Sequence, residues 1–439
     1  MSTFRSAISG MSETAVLQLM MLLRQLSMII LAVFFSRNYT LTNVGQVEGL
    51  QYILTTFSVF WLNGILQWFL PEYHRIGEDR RADLLWRVAT LLFLLSLFVC
   101  LVINNFRPSV FHFFLQSDPF EFLDIFLLYA LMMLPSYFLE YALFAKGKYR
   151  LIIIISVLTL LIQNLPVFFK ADLSFVFGSW AFLACLRFLH LLYELLPWQA
   201  VSFAKLKSTL LFSLPLILYA LISQWAATYN SWLVNFLNNG DVYQFAIFRY
   251  GARELPVALA LATGLSAAMS AAISRNFDEG ILLLKQKSAR LMHLLFPFTL
   301  ILLIGSNWWF PLVFSRNLSG AVLIFDIFLL LIVSRLLFPQ SVALALNANR
   351  ALMWISVAEL LVNMVTSLLL AKAFGLAGIA LGTLIAYIFE KVMIAVWLQW
   401  RYSVRFGSYT PWKWYFSYSC LSILVFGLKY TFLQTLFVQ

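Results

Sequence analysis

The chain has 439 residues, of which 62% are hydrophobic, 17% are aromatic and only 11% are charged. A soluble domain has about 25% charged residues, so this composition excludes a water-facing surface around the whole chain. The net charge of +11 is not gathered in a basic domain or tail, which argues against nucleic-acid binding. The composition therefore indicates an integral membrane protein.

Apolar runs recur along the sequence, each near the roughly 20 residues that a membrane-spanning helix needs. They predict an all-α integral membrane fold with twelve spans and an additional C-terminal segment, 415–436. The amphipathic stretch 275–293 is predicted to be an interfacial cytoplasmic helix. The twelve predicted spans are 14–36, 46–70, 84–104, 119–145, 151–169, 175–197, 209–235, 243–273, 291–313, 321–345, 351–371 and 377–398.

Lysine and arginine in the connecting loops predict the orientation. With the N-terminus in the cytoplasm, the outer loops contain Arg37, Arg107, Lys170, Arg316 and Lys372. The inner loops then contain Arg5, Arg75, Arg80, Arg81, Arg87, Lys146, Lys148, Arg150, Lys205, Lys207, Arg275, Lys285, Lys287, Arg290, Arg350, Arg401, Arg405 and Lys413. Since cytoplasmic loops carry the excess of positive charge, this bias favours a cytoplasmic N-terminus.

Neither a metal site nor an enzyme active site is indicated. The three cysteines and four histidines are scattered without ligand spacing. The sequence contains no Walker A, HExxH or GxSxG motif, and its loops are short. We therefore expect a protein that is not an enzyme, with no catalytic residues, no metal and no cofactor.

The two halves of the chain repeat at an offset of 200 residues. The matching pairs are Arg75 with Arg275, Arg150 with Arg350, Ser156-Val157 with Ser356-Val357, and Gly178 with Gly378. They predict an N-terminal six-helix lobe over 1–206, a C-terminal six-helix lobe over 207–400 and an additional membrane segment over 401–439. Transporters built from such repeats bind their substrate between the halves, near the bilayer midplane.

Short motifs at the start of several spans carry a family resemblance. They are Phe212-Ser213-Leu214-Pro215-Leu216, Gly240-Asp241-Val242-Tyr243, Asn43-Val44-Gly45-Gln46, and the turns Ala145-Lys146-Gly147-Lys148-Tyr149-Arg150 and Asn347-Ala348-Asn349-Arg350. In this pattern the chain resembles the Wzx-type polysaccharide (O-antigen) flippases of the multidrug/oligosaccharidyl-lipid/polysaccharide exporter superfamily. The resemblance covers nearly the whole chain and implies a MATE-like fold.

The resemblance also implies a function. Such a protein would translocate a polyprenyl-pyrophosphate-linked oligosaccharide across the bacterial inner membrane, for O-antigen and lipopolysaccharide biosynthesis, by alternating access of two lobes around a cationic cavity. Its partners would be the lipid-linked substrate, membrane lipids and a polysaccharide polymerase, with no nucleic acid.

Basic residues inside the spans are the candidate substrate-binding site, because a charge at the bilayer centre is costly and usually functional. The candidates are Arg24, Arg187, Arg249, Arg253 and Arg335. A guanidinium binds phosphate oxygens at two points, which suits a pyrophosphate. Three carboxyl groups, those of Glu48, Asp326 and Glu359, are candidates for coupling to an ion gradient.

Several charges inside the predicted spans also have a simpler structural interpretation. Arg24 could pair with a carboxylate on another helix, such as Glu48 or Glu359. The pair Arg249 and Arg253, four residues apart and so on one helix face, could instead contact lipid headgroups. Glu390-Lys391 is predicted to be a locally neutralised pair with Lys391 reaching to the interface, and Lys429 is predicted to do the same.

Three other functions compete with the flippase. A multidrug or organic-cation antiporter of the same superfamily would need acidic residues to dominate the cavity. A flippase for the peptidoglycan lipid precursor would share the cationic site. An O-antigen ligase would need a large periplasmic loop, and the longest predicted outer loop, 104–118, is too short.

Overall fold

The computed structural model describes residues 13–346 and 348–437, and within them the secondary structure is helical, with no strand. Its α-helices are α1 Glu13–Asn38, α2 Leu41–Arg75, α3 Glu78–Asn105, α4 Arg107–Leu115, α5 Leu123–Ser136, α6 Phe138–Ala145, α7 Tyr149–Phe168, α8 Leu173–Leu195, α9 Phe203–Leu237, α10 Val242–Gly251, α11 Pro256–Arg275, α12 Phe277–Val313, α13 Val322–Leu329, α14 Ile332–Arg335, α15 Pro339–Ala345, α16 Asn349–Tyr402, α17 Phe406–Tyr409 and α18 Trp412–Phe437. A 3₁₀ turn, Arg316–Ala321, precedes α13. Arg5 and Asn347, used in the sequence predictions, lie outside the described residues.

The helices are long and apolar, as a membrane fold requires. Among the described residues, ten helical segments have the length and composition to cross a bilayer. The all-α, multi-pass membrane fold is therefore confirmed. The count of twelve spans, and a full crossing by 415–436, stay predictions.

The predicted repeat is visible in the helix ends. Arg75 is the last residue of α2, and Arg275 is the last residue of α11. Arg150 is the second residue of α7, and Arg350 is the second residue of α16. Polar caps support these boundaries: the Asn276 side chain accepts a hydrogen bond from a backbone N–H in the first turn of α12, as N-cap residues do.

Two predicted spans are broken in the structure. The predicted span 243–273 is interrupted between Gly251, which ends α10, and Pro256, which begins α11. The predicted span 321–345 is divided into α13, α14 and α15, the last of which begins at Pro339. Proline at the first helical position explains both restarts, because it disfavours a helical conformation in the residue before it.

One other region is more continuous than predicted. The segment 275–293 is not a separate interfacial helix, because α12 runs without a break from Phe277 to Val313. The predicted spans 351–371 and 377–398 correspond to two helical stretches within α16, which are divided at Gly375 by a non-helical backbone conformation. There the backbone has φ 56° and ψ −135°, a conformation that glycine alone adopts easily.

Contacts between Cα atoms divide the chain into two compact units. The first contains residues 1–224 and 238–243, and the second contains 225–237 and 244–439. In the first unit, α1 packs on α7 and α5 packs on α8. In the second, α12 packs on both α11 and α18, and α16 packs on α13 and α15. The predicted domain boundaries at 206 and 400 stay a prediction.

Candidate functional site

Three charged side chains meet inside the first unit. Arg24 on α1 and Arg187 on α8 lie on either side of Glu140 on α6. Glu140 is almost completely buried, with 1% of its side chain exposed. We call these three residues the N-terminal charge cluster. With both arginines and the carboxylate ionised, the cluster carries one excess positive charge.

Arg187 is the fixed member of the N-terminal charge cluster. Its side chain is 4% exposed, and its Nη2 donates to Glu140 Oε1 at 2.7 Å. Its Nη1 donates to Thr159 Oγ1 at 2.8 Å, and Nη2 also reaches the backbone oxygen of Ser136 at 3.3 Å. Each nitrogen of the Arg187 guanidinium therefore has a hydrogen-bond partner, as a buried charge requires.

Arg24 is held more loosely. Its Nη2 lies 3.2 Å from Glu140 Oε2 and its side chain is 33% exposed. Neither of these two atoms has a hydrogen-bond partner in the described part of the chain, so their contact is an ion pair without hydrogen-bond geometry. The guanidinium also lies over the ring of Tyr137, 4.8 Å from its centroid, which is a cation–π contact. The prediction that Arg24 pairs with Glu48 or Glu359 is wrong, because its carboxylate is that of Glu140.

The second unit has its own group of charges, which we call the C-terminal charge cluster: Glu254, Arg335, Glu359, Glu390 and Lys391. Arg335 is bound at two points by Glu254, with Nε donating to Oε2 at 2.9 Å and Nη2 donating to Oε1 at 2.6 Å. Its guanidinium also lies over the ring of Tyr387, 4.5 Å from the centroid. Arg335 is therefore neutralised by a carboxylate that the sequence analysis did not associate with it.

The rest of the C-terminal charge cluster contains more carboxylates than bases. Lys391 Nζ lies 2.7 Å from Glu390 Oε2 and donates to Gln340 Oε1 at 3.3 Å. Both side chains of the pair are buried, so the prediction that Lys391 reaches to the membrane interface is wrong. Glu359 interacts electrostatically with Glu390, Lys391 and Arg335. With every group ionised, three carboxylates face two bases.

Arg249 and Arg253 do not share a helix face. The helix α10 ends at Gly251, so Arg253 lies in the non-helical junction before α11. Its guanidinium is 4.4 Å from the ring centroid of Tyr250. Both arginines are partly buried. The prediction that these two residues lie on one helix face is therefore wrong, because it assumed one continuous helix.

Asp326 forms a buried ion pair and a hydrogen bond with α18. It is completely buried on α13, and Lys429 Nζ from α18 lies 2.5 Å from its Oδ2. The same Oδ2 accepts a hydrogen bond from Tyr430 at 2.6 Å, and Lys429 also donates to Ser306. The prediction that Lys429 reaches to the membrane interface is therefore wrong, because Lys429 forms a buried ion pair with Asp326. The remaining coupling candidate, Glu48, is buried on α2.

The described residues contain no group of three or more metal-ligating side chains. The residues that the sequence analysis missed are Glu140 and Glu254, which bind three of the predicted arginines. Glu140 stands within the predicted span 119–145, where an acidic residue is costly, and that signal could have identified it. Glu254 stands within the predicted span 243–273, where the same signal applies.

Comparisons with known proteins give a fold. No protein-family model matches the chain, and no curated protein matches it in sequence. A structure described as the lipid II flippase MurJ in an inward closed conformation matches with a TM-score of 0.70 and 15% identity, over 94% of this chain and 92% of that one. The fold is MATE-like.

Two further structures agree. An inward-facing multidrug-resistance MATE transporter of the MOP superfamily matches with a TM-score of 0.62 and 13% identity, over 90% of this chain and 98% of that one. The MATE transporter VcmN of Vibrio cholerae, in its bent form, matches with a TM-score of 0.51 and 14% identity, over 94% and 99% of the two chains. These structures are of transporters, and at such identities the likeness concerns the fold alone.

Proposed function

We propose that this protein translocates an oligosaccharide linked to a polyprenyl pyrophosphate across the bacterial inner membrane, as Wzx-type flippases do in O-antigen biosynthesis. One observation carries the proposal: Arg24, near the middle of α1, keeps a third of its side chain exposed, and the N-terminal charge cluster to which it belongs has an excess positive charge. An arginine at the bilayer centre costs at least about 2.5–3.5 kcal/mol on insertion scales, so an exposed one should face water or an anion.

The chemistry of that side chain suits a pyrophosphate. A guanidinium presents paired N–H donors that bind two phosphate oxygens at once, which a lysine ammonium does not do. Glu140 Oε2 lies 3.2 Å from a single nitrogen of the Arg24 guanidinium, Nη2, and the other two nitrogens are the donors that we propose for the pyrophosphate. Arg249 and Arg253, partly buried in the other unit, are candidates for further contacts with the pyrophosphate or with acidic sugars.

The transport cycle we propose is alternating access of two lobes, with the polyprenyl chain remaining in lipid. The excess of Lys and Arg in alternate loops supports a cytoplasmic N-terminus, and the substrate would then enter from that side. Of the candidate coupling carboxyl groups, Glu359 is the best placed, because Asp326 is bound by Lys429. A polysaccharide polymerase would receive the translocated unit.

A second function is favoured by a different observation. In the C-terminal charge cluster three carboxylates face two bases, which suits an organic cation better than an anion. A multidrug or organic-cation antiporter would therefore depend on Glu359 and Glu390 rather than on Arg24. A peptidoglycan lipid-precursor flippase is the alternative that would retain the role of Arg24.

The experiment is deletion of the gene in its host, with complementation by wild type, Arg24→Gln or Arg80→Gln. Arg80 is the matched control, because its side chain is well exposed and its nearest carboxylate lies at 3.8 Å. We expect the deletion to lose surface polysaccharide and accumulate lipid-linked oligosaccharide units. Wild type and Arg80→Gln should restore the polymer, and Arg24→Gln should not.

Other outcomes separate the alternatives. Accumulation of peptidoglycan precursors would favour the precursor flippase. Normal polymer with increased drug sensitivity, restored by Arg24→Gln but not by Glu359→Gln, would overturn the flippase proposal in favour of the antiporter.

A further inference from the structure

The two arginines of the N-terminal charge cluster bind the same carboxylate unequally. Arg187 donates a 2.7 Å hydrogen bond to Glu140 Oε1 and is fixed by Thr159 and Ser136 as well. Arg24 approaches the other oxygen, Oε2, at 3.2 Å without hydrogen-bond geometry among the described atoms. One side of Glu140 is therefore firmly bound, and the other side is weakly bound.

Burial makes the same distinction. Separating Arg187 from Glu140 would leave the buried Arg187 without a counter-ion, and removing one partner of a buried pair is strongly destabilising. Moving Arg24 away from Glu140 leaves the carboxylate still paired with Arg187. Arg24 is also the exposed member, since its side chain has eight times the fractional exposure of Arg187 at 33% against 4%. Of the two ion pairs, only the one with Arg24 can be exchanged at low cost.

The charges in the cluster fit such an exchange. In the empty protein Arg24 shares Glu140 with Arg187, so a charge near the middle of α1 still has a counter-ion. When an anion binds Arg24, the Arg187–Glu140 pair remains neutral by itself. Each charge then has a partner in both states, which avoids the cost of an isolated charge away from water.

We infer that Glu140 is an internal counter-anion for Arg24, which the phosphate groups of the substrate displace, while Arg187 holds Glu140 in place. Glu140 and Arg187 are positioning residues in this arrangement, and Arg24 is the residue that contacts the substrate. The inference rests on the proposed function and adds a way in which the protein limits its affinity for the substrate. The competing carboxylate weakens binding of a lipid phosphate, so that the substrate can be released after translocation.

The test measures binding of farnesyl pyrophosphate to the full-length protein in detergent, with farnesol as the probe that lacks the anion. The key variant is Glu140→Gln/Arg187→Gln, which neutralises the buried pair together and leaves Arg24 without its internal competitor. We expect this double variant to bind farnesyl pyrophosphate about tenfold more tightly than wild type, since one ion pair of about 1.4 kcal/mol corresponds to tenfold. Arg24→Gln should lose binding by a similar factor.

A second variant keeps the buried charge, in case the double variant does not fold. Glu140→Asp retains a carboxylate for Arg187, which is fixed by Thr159 and Ser136, but shortens the reach toward Arg24. It should bind farnesyl pyrophosphate about threefold more tightly than wild type, corresponding to roughly 0.7 kcal/mol. Binding of farnesol should be equal in every variant.

The outcomes distinguish the inference from the function on which it rests. If Arg24→Gln loses binding, and both Glu140 variants bind with wild-type affinity or more weakly, the counter-anion inference is overturned and the anion site at Arg24 stands. If Arg24→Gln binds farnesyl pyrophosphate as wild type does, Arg24 is not the anion site, and the inference is overturned together with that part of the proposed function. Tighter binding by the Glu140 variants, abolished when Arg24→Gln is added, supports both.

Discussion

The pair between Lys429 and Asp326 allows a quantitative test of how α18 is attached. Lys429→Met removes the cation that lies 2.5 Å from Asp326 Oδ2, and Asp326 has no exposed surface. Of the groups that bind this oxygen, the variant leaves the Tyr430 hydroxyl at 2.6 Å. Breaking one side of a buried pair costs about 3–5 kcal/mol, because the other charge stays buried and uncompensated.

The expected shift in melting temperature follows from the size of the protein. One kcal/mol shifts the melting temperature by about 2–4 °C for chains of 150–250 residues, and by less for longer chains. We therefore expect Lys429→Met to lower the apparent melting temperature by roughly 3–10 °C, measured by size-exclusion chromatography of the heated protein in detergent. Lys413→Met is the control, because Lys413 is an exposed residue on the same helix.

The double variant Lys429→Met/Asp326→Asn decides whether charge is the cause. Replacing both members of a buried pair by neutral groups is often neutral or stabilising, so the double variant should recover most of the loss. If the double variant melts as low as Lys429→Met alone, the effect comes from packing of the lysine side chain, and the reasoning from buried charge is refuted.

Two glycine positions give further predictions, both measured by the same melting assay. Gly375→Ala should destabilise the protein by about 1–3 kcal/mol, because the backbone conformation at φ 56° is strained for any side chain. Gly178→Ala is the control, because an added Cβ would meet open space at both positions, and it should be neutral or stabilising. Gly64→Ala should cost about 1–3 kcal/mol through overpacking, because a Cβ there would lie 2.6 Å from the backbone of Ile217; wild-type stability would show that α2 and α9 do not approach so closely.

The fold could be predicted from the sequence because its signals are local. Apolar length and loop charge are properties of contiguous segments, and the helices begin and end near the predicted positions. The offset repeat also survives, since Arg75 and Arg275 both end helices and Arg150 and Arg350 both stand second in theirs. The breaks at Pro256 and Pro339 were available in the sequence as well, because proline at the start of a helix is a local rule. Hydropathy alone does not distinguish a kinked helix from a break inside an apolar run.

The partners of the buried charges could not be predicted in the same way. Arg24 was expected to need a carboxylate on another helix, and it has one, but the helix that supplies it is α6. A sequence gives the spacing of residues along a helix and says nothing about which faces of two distant helices meet. Glu140 and Arg24 lie on helices that are distant in the sequence, so their contact depends on tertiary packing that no periodicity encodes.

Arg335 provides the last prediction, because the structure gives it a different character from Arg24. Two of its nitrogens are bound by Glu254, at 2.6 and 2.9 Å, and one face of its guanidinium lies over the ring of Tyr387. The carboxylate occupies the Nε–Nη2 edge of this guanidinium, which leaves Arg335 with fewer N–H donors for a phosphate than Arg24 has. Arg335→Gln/Glu254→Gln removes both charges and leaves no unpaired ion, so it should bind farnesyl pyrophosphate within about twofold of wild type, or roughly 0.4 kcal/mol.

Arg24→Gln in the same measurement should lose about tenfold, or about 1.4 kcal/mol. The contrast matters because both arginines are basic residues in predicted spans, and sequence alone ranks them equally. If the Arg335/Glu254 double variant loses as much affinity as Arg24→Gln, then Glu254 yields to the anion as we infer for Glu140, and Arg335 is also an anion-binding residue. If it does not, Arg24 alone of the two binds the anion, and its carboxylate partner, Glu140, is also bound by Arg187.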